Sequence, residues 1–366
     1  MKLYCITVKK DNKTTAGAKA PDDISTIARM LGAEAFSFCP AHIFKNINIT
    51  RFFALFVGIK NWMKLLFQIE KKAYVIVQHP NENILVANKF INLCKRVKKC
   101  RFIVLIHDLD SLRQYVLNDN SANLRGRAAV ADEVLLKKAD YIISHNKCMT
   151  RYLVERGFDR TKIVNLEIFD YLHNCDLSEK RVDTSKSIVV AGNLTPNKAA
   201  YIYQLNELGK LDYTINLFGP NYDKKENEEN ICYYGQCMPD KLPEKLVGKF
   251  GLVWDGTKID GCHGNAGEYI KFNNPHKCSL FLASGLPVII WKEAALASFV
   301  EKNQIGITVD SLREINSIMN KLDANEYQEM KKNAENIGQK LRQGYYFKKA
   351  MQEIMTKEGV DLEITN

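Results

Sequence analysis

NNPHKCSLFLASGLPVII, residues Asn273 to Ile290, is the stretch on which the fold turns. Asn274 is a capping residue and Pro275 suits the first helical position, so a helix is expected to start there with its free backbone N–H groups and positive dipole end uncovered. His276 and Lys277 stand beside that start. A lysine in the first turn opposes the helix dipole by a few tenths of a kcal/mol, roughly, a cost that makes sense if its ammonium faces a bound anion such as a diphosphate; the plainer alternative is a solvated lysine. Small and apolar residues fill the rest of the helix, Gly285 has the character of a C-cap, and Pro287 opens a buried strand.

The same alternation of short apolar runs and helical segments repeats outward in both directions, which is the signal of βαβ units around parallel sheets. Toward the C-terminal half, strands are expected at Ile188 to Ala191, Thr214 to Phe218, Ile231 to Tyr234, Gly251 to Trp254, Pro287 to Ile290 and Gly306 to Val309. Toward the N-terminus they are expected at Leu3 to Val8, Tyr74 to Gln78, Phe102 to His107 and Tyr141 to Ser144, with helices over Asp22 to Leu31, Arg51 to Lys72, Asn83 to Val97 and Arg127 to Lys138. From Asp170 to Ser187 polar residues dominate and no apolar period survives, so that stretch reads as a linker. Helical segments then close the chain at Leu312 to Leu322, Glu326 to Leu341 and Tyr346 to Met355. With 366 residues the chain exceeds one ordinary core, and the expected class is α/β with two doubly wound, Rossmann-like domains.

A net charge of +10 points to anionic company: nucleic acid, an acidic bilayer or a phosphorylated substrate. No zinc-finger spacing, RNP-like aromatic motif or long basic block is present, which argues against nucleic acid. The ten cysteines sit mostly in apolar runs without framework spacing, as expected of reduced thiols in a cytoplasmic protein. The opening LYCITV reads as a strand and not a secretory leader, and no run of about 18 apolar residues suggests a membrane span.

Open parallel sheets bind ligands at the carboxyl ends of their strands. That rule selects His79, His107 and Asp108 in the first domain, and Gly192, Asn193, Gly219, Pro220, Asp255 and Asn274 in the second. The Gly-rich segment Asp255 to Asn273 reads as a long functional loop. Its Cys262 and His263 lack a second ligand pair, so no metal is expected. The loop Lys9 to Lys19, with Thr14, Thr15 and Gly17, follows the first strand and lacks the order of a Walker loop.

FGLVWDG (250–256), HKCSLFLASGLPVII (276–290) and ALASFVEKNQIGITVDSL (295–312), joined by VVAGNLTPNKA (189–199) and weakly by IHDLDSLR (106–113), resemble bacterial glucosyltransferase-3-like and β-1,6-galactofuranosyltransferase proteins. Those are GT-B enzymes of polysaccharide and glycoprotein assembly. The likeness is firm over residues 187–312 and only architectural before them.

The resemblance implies an N-terminal acceptor domain (1–172), a C-terminal donor domain (187–345) with the two facing a cleft, and a C-terminal helix and tail (346–366). It implies a UDP-sugar held by Asn193 and Lys198 near the diphosphate, by Phe218, Gly219 and Pro220 along base and ribose, by backbone around Gly235 to Met238, and by Asn274, His276 and Lys277 at the helix start. The donor would be UDP-galactofuranose, UDP-glucose or similar, and the acceptor a glycan or lipid-linked saccharide. Many retaining relatives carry a Glu where Leu280 stands, so that signature is missing here and metal-independent transfer with inversion is expected. Asp108 or His107 would then take the acceptor proton, against the alternative that Asp108 caps a helix and His107 is a satisfied structural residue. A non-hydrolysing NDP-sugar epimerase and a catalytically silent partner subunit are the competing readings.

The segment Arg51 to Lys72 is strongly apolar with interspersed Arg51, Lys60, Lys64, Lys71 and Lys72. It is expected either on an anionic membrane surface at the inner face of the cell membrane, with Trp62 at the boundary, or in the core, or in a homo-oligomer interface.

Overall fold

The computed structural model describes residues 1–8, 16–40, 42, 44–80, 84–116, 132–177, 186–223 and 229–362. The chain divides into two compact units, one built from the residues up to Leu166 together with those from Phe347 onward, the other from Glu167–Tyr346.

The first unit holds six parallel strands, β1 (Leu3–Val8), β2 (Glu34–Phe38), β3 (Tyr74–His79), β4 (Arg101–Ile106), β5 (Tyr141–Ser144) and β6 (Ile163–Asn165), in the order β2-β1-β3-β4-β5-β6. Four of these were expected. β2 has the burial of an edge strand, with Glu34, Ala35 and Ser37 exposed and only Phe36 and Phe38 inward, and β6 is three residues long, so neither carries a continuous apolar run.

The second unit holds β7 (Ser187–Ala191), β8 (Thr214–Phe218), β9 (Ile231–Tyr233), β10 (Phe250–Val253), β11 (Val288–Trp291) and β12 (Gly306–Val309). Their order is β12-β11-β10-β7-β8-β9, all parallel, and every strand was expected within one residue at each end. β7, β10 and β11 are buried along their whole length, which is why they read as unbroken apolar runs. The strand order reverses between β7 and β10, so the switch point of this sheet lies at their carboxyl ends.

In the first unit the helix expected from Asp22 begins at Ala16, and the apolar segment expected from Arg51 forms the helix Ile47–Gln68. Trp62 is 1% exposed and packs against Phe38, Phe90 and Phe102, so it belongs to the core and not to a membrane boundary. Of the helix expected at 127–138, residues 127–131 lie outside the described residues, as do 9–15 of the first loop with Thr14 and Thr15.

The segment Asp255 to Asn273 is not a structureless loop. It contains the helix Gly264–Tyr269 and is tied down by Asp260 on Ser311 and Arg313, by Gln204 Nε2 donating to Thr257 O, and by Trp254 Nε1 donating to Lys258 O. The helix expected to be capped by Asn274 runs His276–Ala283 with Pro275 as its N-cap, because the Asn274 side chain turns into the interior and donates to Glu167 O at 3.0 Å.

Two glycines set the position of the helix His276–Ala283. A Cβ on Gly251 of β10 would stand 2.1 Å from the Phe281 ring, and one on Gly338 of the helix Ala324–Arg342 would stand 2.2 Å from Leu282 O. The sheet below and the helix above therefore both approach it backbone-close. Its C-terminus is closed by Leu286 N donating to Phe281 O, with Gly285 at φ 75°, and by Arg342 Nη1 donating to Ala283 O at 2.6 Å.

Candidate functional site

Strand register places the expected donor residues of the second unit side by side. Val189 pairs with Gly251 and with Asn216, so Asn193, Asp255 and Pro220, each four residues further on, leave three adjacent strands at the same level of the sheet edge. Gly192 and Gly219 bring the first two loops into contact. Both have positive φ, and a Cβ on Gly219 would sit 1.7 Å from Gly192 O, so only glycine fits at 219. Leu194 N donates to Pro220 O, and Asn193 Oδ1 accepts from Thr195 N and from Asn221 Nδ2 at 3.1 Å.

Lys277 reaches this edge from the helix start. Its Nζ donates to Trp254 O and to Asp255 Oδ1, both at 2.8 Å, with the two side chains about a fifth exposed. The ammonium is thus held at the end of β10, one strand from Asn193. Opposite charge at this distance and partial burial fixes the lysine's direction more firmly than a surface pair would. Lys198 is exposed in the short helix Pro196–Ala199 and, among the described residues, forms no ion pair. Phe218 stacks on Tyr234 with ring centroids 4.7 Å apart, and Gly219 N donates to Gly235 O, which joins the β8 end to the Gly235 turn.

Asn274 and His276 are placed differently. Asn274 is buried on Glu167 O, and the His276 ring lies against Tyr171 at 5.0 Å and Phe169 at 6.1 Å. These two side chains anchor the segment that enters the second unit, while Lys277 alone of the three points to the β7–β10 edge.

Three tyrosines that sequence reasoning did not single out complete this edge. Tyr233 OH donates to Gly219 O at 2.8 Å, Tyr203 OH donates to Leu194 O at 2.6 Å, and Tyr222 lies between their rings, 5.8 Å from Tyr203 and 5.1 Å from Tyr233. Their chain separation hides the grouping, which arises only when β7, β8 and β9 are paired. The Asp255–Lys277 pair was equally hidden, since nothing in a local period couples residues 22 apart.

In the first unit, His79 ends β3, and His107 and His145 follow the adjacent strands β4 and β5. His107 Nε2 lies 2.7 Å from Gln78 Oε1, and Asp108, 40% exposed at its side chain, has Arg113 Nη1 at 3.8 Å. His79 is fully buried, with Nε2 2.7 Å from Asp132 Oδ1, and Asp132 Oδ2 accepts from Ser111 N. Asp132 thereby ties the β3 end to the start of the helix Asp110–Val116, two residues after Asp108. His145 is buried on Ile106 O, and burial lowers its pKa to about 4.

The chemistry of the thiols is quiet. All ten cysteines are free, and burial pushes Cys5, Cys94 and Cys278 up to about 12, which removes them as nucleophiles.

Comparison with known proteins agrees with this geometry. The family described as "Glucosyltransferase 3-like, C-terminal domain" matches residues 188–354, and its N-terminal counterpart matches residues 2–168. The likeness thus extends well beyond the stretch where it was firm in the sequence. Beta-1,6-galactofuranosyltransferase WbbI of Escherichia coli (strain K12) is 36% identical over 285 residues, covering 75% of this chain and 80% of that protein. Glucosyltransferase 3 of Streptococcus gordonii is 24% identical over 338 residues, covering 91% and 92%. Among solved structures, the lipopolysaccharide outer core galactosyltransferase WaaB in its apo form superposes with a TM-score of 0.61 at 13% identity, covering 98% of this chain and all of that one. Anabaena Alr3699/HepE in complex with UDP-glucose superposes with a TM-score of 0.59 at 12% identity, with 98% and 100% covered. The two parallel sheets and these neighbours make the architecture GT-B.

Proposed function

The chain belongs to the glucosyltransferase 3-like family and is a glycosyltransferase of glycan synthesis, and from that premise we propose that it moves a hexose from a UDP-sugar to a glycan or lipid-linked saccharide. Galactofuranose and glucose are the leading donor sugars, following the activities named for WbbI and glucosyltransferase 3. The observation that carries the reading is the switch-point edge of the second sheet, where the ends of β7 and β10 set Asn193 beside the Asp255-held ammonium of Lys277. Fixed cationic and amide donors at such a point suit a pyrophosphate, and positive charge there stabilises UDP as it leaves with the electrons of the broken C1–O bond. HepE, with the same fold, has been solved with UDP and with UDP-glucose, which supports the nucleotide class.

In the first unit Asp108 is the proposed base. As the acceptor oxygen bonds to C1, its proton passes to the carboxylate, with His107 the second candidate for that role. The transfer is proposed to need no metal, with the lysine supplying the charge a divalent ion would otherwise supply. The protein is proposed to work in the cytoplasm at the inner face of the cell membrane, where lipid-linked saccharides lie.

Calorimetry with UDP and turnover with a panel of UDP-sugars test this together. The parent is expected to bind UDP, and Lys277→Ala to weaken that binding by roughly tenfold or more, the ~1.4 kcal/mol of at least one charge-assisted hydrogen bond. Turnover is expected to survive a chelator. A parent with no UDP affinity, or one releasing UDP without forming a transfer product, removes the proposal.

A further inference from the structure

The helix Ile47–Gln68 has two apolar faces, and only one of them is used by the fold. Gly58, Trp62, Leu65 and Leu66 are buried on the inner side. On the outer side Phe52 is 60% exposed, Phe56 62% and Phe67 71%, and Phe53, Ile59 and Met63 are exposed with them. From Phe53 the exposed positions 56, 59, 63 and 67 recur every three or four residues, and Phe52 lies four residues before Phe56, so the six form one stripe along about four turns of helix. Phe52 and Phe56 touch at 5.3 Å between ring centroids, so the start of the stripe is a joined aromatic patch, continued along the helix by Ile59, Met63 and Phe67.

Charge says what covers it. The helix contains no Asp or Glu, while Lys60 and Lys64 are exposed along one flank of the stripe, Arg51 is exposed near its start, and past its end one exposed acid, Glu70, is followed by Lys71 and Lys72. A second copy docking on this face would bring like charges together, and the whole chain carries +10. A surface that accepts phenyl rings in its interior and ammonium groups on its rim, and that is itself anionic, is a bilayer of acidic lipids. No helix among the described residues is long and apolar enough to cross a membrane, so the contact lies in the interface plane.

We propose that the outer face of Ile47–Gln68 seats the protein on an anionic membrane, with Phe52, Phe56 and Phe67 at the acyl boundary and Lys60 and Lys64 on headgroup phosphates. This rests on the reading of the protein as a transferase for membrane-borne acceptors, and it names the surface that brings it there. The buried Trp62 holds the helix to the first unit through Phe38 and Phe102, so insertion needs no rearrangement of the core.

The experiment is flotation of the full chain with vesicles of phosphatidylcholine alone and of phosphatidylcholine mixed with phosphatidylglycerol. Binding to the mixed vesicles at low salt is expected, roughly tenfold or more weaker on phosphatidylcholine and weaker again at high salt. The triple variant Phe52→Ser, Phe56→Ser, Phe67→Ser is expected to lose roughly tenfold or more of that binding with its thermal midpoint kept, since these side chains support nothing inside. Should that variant fail to fold, Lys60→Gln with Lys64→Gln is expected to weaken binding and flatten its salt dependence. Absence of flotation on anionic vesicles at low salt overturns the proposal, as does a triple variant or a lysine variant that floats like the parent. A parent dimer in light scattering that the triple variant dissociates, with no flotation by either, also overturns it and assigns the face to a second copy. UDP calorimetry on the same preparations separates the two proposals, because lost flotation with intact UDP affinity sinks this one alone.

Discussion

At the scale of single residues, the carboxyl edge of the first sheet makes two testable statements. Asp108 is 40% exposed at its side chain, with Arg113 Nη1 3.8 Å away, so its carboxylate is open to an acceptor from solvent, whereas Asp132, bonded to His79 and Ser111, is buried. Asp108→Asn is therefore expected to lower kcat by about 10² to 10⁴ while leaving UDP affinity unchanged, as rate assays beside calorimetry will report. His145 contributes to acid sensitivity instead. Burial lowers its folded pKa to about 4 from 6.5, so between those values the unfolded chain binds the proton that the folded chain refuses. Its contribution is complete above pH 6.5 and is lost as pH falls toward 4, roughly 3 kcal/mol in all. Denaturant titrations of the parent should show that loss, and His145→Gln, which has no proton to gain, should show a flatter pH slope. The reach of sequence reading is visible at this scale too. Asn193, Gly219, Pro220 and Asp108 were legible because a strand's end marks its ligand edge, whereas the Asp255 partner of Lys277 and the turn of Asn274 toward Glu167 depend on side chains meeting across elements.

At the scale of elements, legibility followed burial. β7, β10 and β11 were readable because both faces are covered and the apolar runs are unbroken, while β2 escaped because half of it faces water. The helix Ile47–Gln68 was recognised as apolar, but composition cannot say which of two apolar faces turns inward, so membrane surface, core and oligomer interface stayed open until the structure put Trp62 in the core. The helix His276–Ala283 shows how elements deliver function, since its distance from β10 decides whether Lys277 reaches Trp254 O and Asp255. Gly338 permits the helix above it to close to backbone contact, with a Cβ there falling 2.2 Å from Leu282 O. Gly338→Ala is expected to destabilise the second unit by roughly 1 to 3 kcal/mol through forced separation of the two helices. The same shift should weaken UDP binding, so a lowered thermal midpoint accompanied by reduced calorimetric affinity is the expected pair. An alanine variant with unchanged midpoint would mean that the helix does not depend on this approach.

At the scale of the whole molecule, the order of the chain and the order of the units differ. Residues from Phe347 onward cluster with the first unit although 180 residues of the second, Glu167–Tyr346, intervene. The helix Tyr345–Lys357 buries Phe347, Met351, Ile354 and Met355 completely, and just past its end the Glu358 carboxylate accepts from Tyr74 OH at 3.1 Å and Tyr141 OH at 2.6 Å, with Arg101 Nε at 3.4 Å. Those three partners come from β3, β5 and β4, so one carboxylate pins the returning helix across neighbouring strands of the first sheet. The first unit is therefore incomplete until the last helix has been made, whereas the second has all its strands by Val309. Four fully buried apolar side chains at about 1.5 to 3 kcal/mol each are comparable with the whole net stability of an ordinary domain. Removing residues 347–366 is accordingly expected to unfold the first unit and leave the second folded, with limited proteolysis degrading the region before Leu166 first and UDP affinity surviving in the protected remainder. Glu358→Gln keeps the helix and both tyrosine hydrogen bonds but removes the charge facing Arg101, so it should cost far less than the truncation. Equal loss in the two variants would place the stabilisation in that ion pair and not in the buried face of the helix.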